Sequence, residues 1–186
     1  MNITPDDARE ALGAIEQVRA KTRAMLGFDG YFLLIWGCFW LAGGLISEFV
    51  GVGRLPWVWI PLYIASLLLS AKLGIDQGMR LRRESSMRIG VFCWLLLFYA
   101  LLWYIVLQPL ATLQGACLLI TITFFGYVAI GTWEWSLKTT IFGLVETALV
   151  LVGYYLWPTF FWLWIALACG IPHLVVGFYL LRSRRK

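Results

Sequence analysis

The stretch KLGIDQGMRLRRESSMR, residues 72–88, decides how this chain is read. It is the one long polar interruption in a sequence that is otherwise almost wholly apolar from residue 31 to residue 181. It carries Lys72, Arg80, Arg82, Arg83 and Arg88 against Asp76 and Glu84. Such a basic block stays on one side of a bilayer, so its side sets the direction of every apolar run around it.

Working outward, the runs are long and solid. A helix needs about 20 apolar residues to cross hydrocarbon. Six spans are predicted: 31–50, 55–74, 89–107, 113–131, 140–156 and 160–181. The connections expected on the outer side are brief, GVGRLP, QPLATLQ and WPT, and leave no room for an exported domain. Apolar residues make up 61% of the chain and charged residues 13%, with a mean hydropathy of +0.81. Soluble domains run at about 45–50% and about 25%, so a soluble fold has nowhere to hide this surface. A membrane β-barrel is excluded as well, because it shows weak alternating segments of about ten residues. The fold class expected is all-α, a polytopic membrane helical bundle.

The charges orient it. With the N-terminus in the cytoplasm, Arg9, Arg19, Lys21 and Arg23 fall inside. So do the basic stretch, Lys138, Arg182, Arg184, Arg185 and Lys186, and only Arg54 falls outside. This follows the positive-inside rule and predicts six spans with both termini cytoplasmic, in a bacterial-type inner membrane. The net charge of +5 is accounted for by these flanks, so nucleic acid is not expected as a partner. Trp57, Trp59, Trp103, Trp157 and Trp162, with Tyr104, Tyr154 and Tyr155, read as an outer aromatic belt. Trp133 and Trp135 flank the inner loop before the fifth span.

Residues 1–28 read as a separate cytoplasmic amphipathic helix, ahead of a membrane domain at 29–186. Thr4 suits an N-cap, Pro5 the first helical position, and Asp7 the capping pattern. Ala8, Ala11, Leu12, Ile15, Val18 and Met25 keep a helical apolar stripe, and Gly27 and Gly30 are expected to end it. The first thirty residues are polar, so no signal peptide is expected and the first span should stay uncleaved.

Cys38, Cys93, Cys117 and Cys169 all lie in apolar runs without ligand spacing and read as small packing residues. Ser66, Ser70 and Gly74 stand at four-residue intervals in the second span. Gly43 and Ser47 in the first span and Ala166 and Gly170 in the sixth repeat that spacing, which marks faces for close helix approach. Ile35-Trp36-Gly37 leads to Trp57-Val58-Trp59-Ile60 much as Ile141-Phe142-Gly143 leads to Trp162-Leu163-Trp164-Ile165. The first and last hairpins therefore read as copies within three stacked hairpins of one orientation.

The last hairpin, FGLVETALVLVGYY through WPTFFWLWIALACGIPHLVVGFYLL, resembles the hairpin unit of the small HdeD-like bacterial membrane proteins. The resemblance implies three two-span units with Gly-punctuated helices and no defined enzymatic chemistry. The charged N-terminal helix departs from that pattern.

Within the spans ionisable residues are costly and mark function by default. Glu146 in the fifth span and His173 in the sixth are expected at similar depth, roughly 10 and 13 Å from the cytoplasmic ends at 1.5 Å per residue. Across a tight hairpin they can face each other, with Thr147, Thr121, Thr123 and Gln114 adding polar groups. One reading is a proton-linked or ligand-gripping site. The other is a polar clasp between two helices. Pro172 removes an N–H and frees the Ala168 carbonyl beside His173. Glu48 and Arg54 read as an exposed ion pair.

No HExxH, GxSxG or Walker pattern is present, and a single histidine makes no metal site, so no enzyme, metal or cofactor is expected. The first functional expectation is a non-enzymatic membrane subunit that associates with itself or with a partner membrane protein. The alternative is a small proton-linked transporter centred on Glu146 and His173.

Overall fold

The computed structural model describes the backbone of residues 5–81 and 84–183, and the side chains of residues 10–18, 20, 29–75 and 90–183. Thr4, Arg82, Arg83 and the C-terminal Arg184, Arg185 and Lys186 lie outside the described residues. Seven α-helices are described: α1 (Pro5–Phe49), α2 (Leu55–Leu81), α3 (Glu84–Val106), α4 (Thr112–Trp133), α5 (Leu137–Leu156), α6 (Phe161–Ile165) and α7 (Ile171–Ser183). A π-helical turn, Ala166–Gly170, joins α6 to α7.

Among the described residues, five helical segments are long and apolar enough to cross a membrane: Asp29–Phe49, Val52–Ile75, Thr112–Trp133, Leu137–Leu156 and Pro158–Ser183. A sixth apolar segment, Gly90–Val106, is shorter. These helices make the chain compatible with an integral membrane protein. The basic stretch is largely helical where it is described, since α2 continues to Leu81 and α3 begins at Glu84.

Two expectations about elements change. Gly27 and Gly30 do not end a helix, because α1 is a single 45-residue rod that runs through both. Isolated glycine weakens a helix by only about 1 kcal/mol, which packing overrides. The packing is visible at Gly30, where a Cβ would stand 2.9 Å from Leu181 and 3.1 Å from the carbonyl oxygen of Gly177. In return, a Cβ at Gly177 would stand 2.9 Å from the carbonyl oxygen of Gly30. These two glycines let α1 and α7 meet backbone to backbone.

The hairpins are also not the main packing units. The most extensive pairings are α4 with α5 and α1 with α7, both of which join different predicted hairpins. α1 also covers α2, α6 and the π turn, while α3 lies against α4. Gly143 explains the α4–α5 contact, since a Cβ there would stand 2.9 Å from the Phe124 carbonyl oxygen and the Tyr127 Cβ.

The core sits where α1, α4, α5 and the α6–π–α7 rod converge. Phe39, Trp40, Ile120, Phe124, Val150, Phe161, Ile165 and Cys169 are buried together. Trp59 and Trp162 leave the expected belt and turn toward this core, their rings 5.6 Å apart. Trp57, Trp103 and Tyr155 remain exposed, as a belt requires.

Candidate functional site

The π turn is where the site begins. Pro172 cannot donate a backbone N–H, and its ring crowds the carbonyl four residues earlier. Widening the preceding turn relieves that crowding, and π turns of this kind recur at functional sites. The turn at Ala166–Gly170 precedes Pro172 by one residue. Gly170 allows it to sit against α1, where a Cβ would stand 2.9 Å from that of Leu41. His173 then follows on α7, fully buried.

Glu146 reaches the same point from α5 and is 1% exposed. Its Oε1 lies 3.6 Å from His173 Nδ1. That is ion-pair range but longer than a hydrogen bond. Nδ1 is instead 2.7 Å from the Cys169 carbonyl oxygen, which can only accept, so Nδ1 carries a proton and donates. Nε2 lies 3.3 Å from the Tyr127 hydroxyl on α4. Phe124, Tyr127 and Phe142 surround the imidazole, with ring centroids 5.9, 5.7 and 4.9 Å away.

The carboxyl of Glu146 is the unusual member. Neither oxygen has a hydrogen-bond partner of ordinary geometry among the described residues. Cys169 offers only a thiol, a weak donor. Buried polar groups are nearly always paired, and a carboxyl that is not costs free energy to bury. The site is thus a carboxyl held beside a fixed imidazole, enclosed by aromatic rings, with hydrogen-bonding capacity in reserve. That arrangement can take up and release a proton.

The other residues singled out from sequence separate. The Thr147 hydroxyl donates to the Gly143 carbonyl at 2.8 Å, so it is spent within α5 and adds nothing to the cluster. Thr121 and Thr123 likewise bond back to Cys117 and Leu119 in α4. Gln114 accepts from the Ala111 N–H at the start of α4. Glu48 does not pair with Arg54; its Oε2 accepts the Leu163 N–H of α6 at 3.0 Å. A carboxylate near a helix N-terminus is favoured by the donors exposed there.

Among the packing residues, Gly43 meets Trp59, where a Cβ would stand 2.7 Å from the ring. Ala166 and Ser47 are buried. Ser66 is buried and Ser70 half-buried, but nothing lies within 4 Å of a Cβ built at Gly74.

Sequence reasoning did not pick out Tyr127, because a tyrosine within an apolar run reads as packing or belt. The usable signal is that its phenol needs a partner once buried. Comparison with protein-family models, curated proteins and solved structures finds no match to this chain.

Proposed function

We propose that this chain is a small integral membrane protein whose Glu146–His173 site exchanges a proton within the bilayer, as a proton-linked carrier requires. The observation that carries the reading is the buried Glu146 carboxyl, 3.6 Å from His173, with no partner of ordinary hydrogen-bond geometry among the described residues and only the weakly donating Cys169 thiol beside it. A structural clasp would use those oxygens, whereas an exchanging group keeps them in reserve. No enzyme chemistry is assigned. The threading that goes with this reading is six spans with both termini in the cytoplasm of a bacterial inner membrane, α3 supplying the third. The likeness of the last hairpin to HdeD-like proteins is compatible with it, since that likeness implies no catalysis.

The test is purified protein in vesicles loaded with a pH-sensitive dye. Dissipation of an imposed pH gradient is expected to be faster than in empty vesicles, and Glu146→Gln should return it to the empty-vesicle rate while remaining folded by circular dichroism. Equal rates for the two proteins would sink the proposal.

A second reading, a subunit that works through association, rests on α1. Residues 5–28 extend this helix beyond the apolar segment beginning at Asp29, and Leu12 and Ile15 are exposed on the extension. A second copy of the chain or a partner membrane protein is the occupant this reading requires.

A further inference from the structure

We infer that Tyr127 is a positioning residue of the site: its hydroxyl donates to His173 Nε2, holds the imidazole as the neutral Nδ1–H form, and leaves Glu146 as the group that exchanges the proton. The consequence for Glu146 rests on the proton-exchange reading above, but the tautomer stands on geometry together with the cost of burying a charged imidazole within this apolar pocket.

Three contacts carry it. The Cys169 carbonyl accepts from Nδ1 at 2.7 Å, so Nδ1 is the protonated nitrogen. Neutral imidazole carries only one N–H, so Nε2 is then the acceptor. The Tyr127 hydroxyl at 3.3 Å from Nε2 is the donor it meets. Both ring nitrogens are therefore occupied before Glu146 is considered. The edge of the ring nearest Glu146 presents a hydrogen, not a lone pair, because it is Nδ1 that lies 3.6 Å from Oε1. His173 can steady a carboxylate there but cannot take the proton of a carboxylic acid at that nitrogen. The titratable groups facing this point among the described residues are Tyr127 from α4, Glu146 from α5 and Cys169 from the π turn, with Cys93 from α3 near Tyr127. The aromatic walls of Phe124 and Phe142 supply no competing acceptor.

The chain contains a single histidine, which makes the test direct. Protein labelled with ring-15N-histidine and reconstituted in lipid bilayers gives only the two ring-nitrogen signals of His173. The expected spectrum shows Nδ1 protonated and Nε2 bare, unchanged across the pH range in which a Glu146→Gln-sensitive carboxyl band appears by infrared spectroscopy. In Tyr127→Phe the ring packing is kept and the donor is lost. The Nε2 signal alone should then move toward that of a free imine nitrogen, with the Nδ1 signal serving as the control for an intact fold.

A protonated Nε2 in the wild type would overturn the inference, as would a histidine that gains its second proton together with the carboxyl. So would an Nε2 signal indifferent to Tyr127→Phe. Should that variant not fold, the wild-type spectrum decides by itself. If the tautomer is as stated but no Glu146-dependent band appears, the proton-exchange reading fails and the role of Tyr127 in holding His173 stands.

Discussion

At the scale of single residues, Glu146 and His173 were legible because they are the ionisable side chains deep within apolar runs, where charge is expensive. Their placement against each other followed from depth alone. Thr147 misled because a hydroxyl in a helix commonly bonds to its own backbone four residues back, as it does here at 2.8 Å. Tyr127 and the Cys169 carbonyl were illegible because no spacing links them to His173, and a backbone acceptor has no letter of its own. The unpaired carboxyl also makes an energetic prediction. Leaving a polar group buried and unsatisfied costs about 1–3 kcal/mol. Glu146→Met, an apolar side chain of similar length, removes that group and should therefore keep or raise the thermal midpoint in detergent, measured by loss of the folded peak on size exclusion after heating. A fall of several degrees would mean that the pair is a clasp after all. Sites that trade stability for chemistry show the pattern expected here.

At the scale of helices, hydropathy placed the apolar runs well because the backbone in lipid must satisfy its own hydrogen bonds, which leaves helix as the default. What hydropathy could not rank was the role of glycine. At Gly30 and Gly177 the missing side chains join two helices, whereas Gly74, at the end of the Ser66–Ser70–Gly74 stripe, meets nothing within 4 Å. Gly30 and Gly177 stand in no such stripe, flanked at four residues by Leu26, Leu34, His173 and Leu181, so the neighbour and not the spacing decides. Gly177→Leu should therefore separate α1 from α7 and destabilise the fold by about 1–3 kcal/mol, in the range for overpacked contacts. Gly74→Leu should leave the midpoint where it is. The heating assay above reads both, and equal behaviour of the two variants would refute the assigned α1–α7 contact. The extent of the α4–α5 pairing was hidden for the same reason, since nothing in the spacing around Gly143 names Phe124 and Tyr127 on the preceding helix as its neighbours.

At the scale of the whole molecule, an all-α fold of long apolar helices was readable from composition, while the arrangement of helices was not. The core forms from α1 and the last rod, which are far apart in sequence, so no local pattern announces it. The association reading belongs at this scale. Removing residues 1–26 is expected to change the oligomeric state, or release a stoichiometric partner, in native mass spectrometry of protein extracted gently from its membranes. Reporters on both ends should stay cytoplasmic in the full chain and the C-terminal one in the truncated chain. An unchanged mass distribution on deletion would count against association through this helix.

The continuity of α1 bears on both readings. Its 5–28 portion adds about 36 Å of helix at 1.5 Å per residue, and the same uninterrupted rod lies against α7 through Gly30 and against the π turn next to His173. Without a hinge at Gly27 or Gly30, a twist or tilt imposed at Leu12 is delivered to the helix that carries His173. The N-terminal arm is a handle, and the far end of the lever meets the rod that holds His173, 3.6 Å from the buried carboxyl.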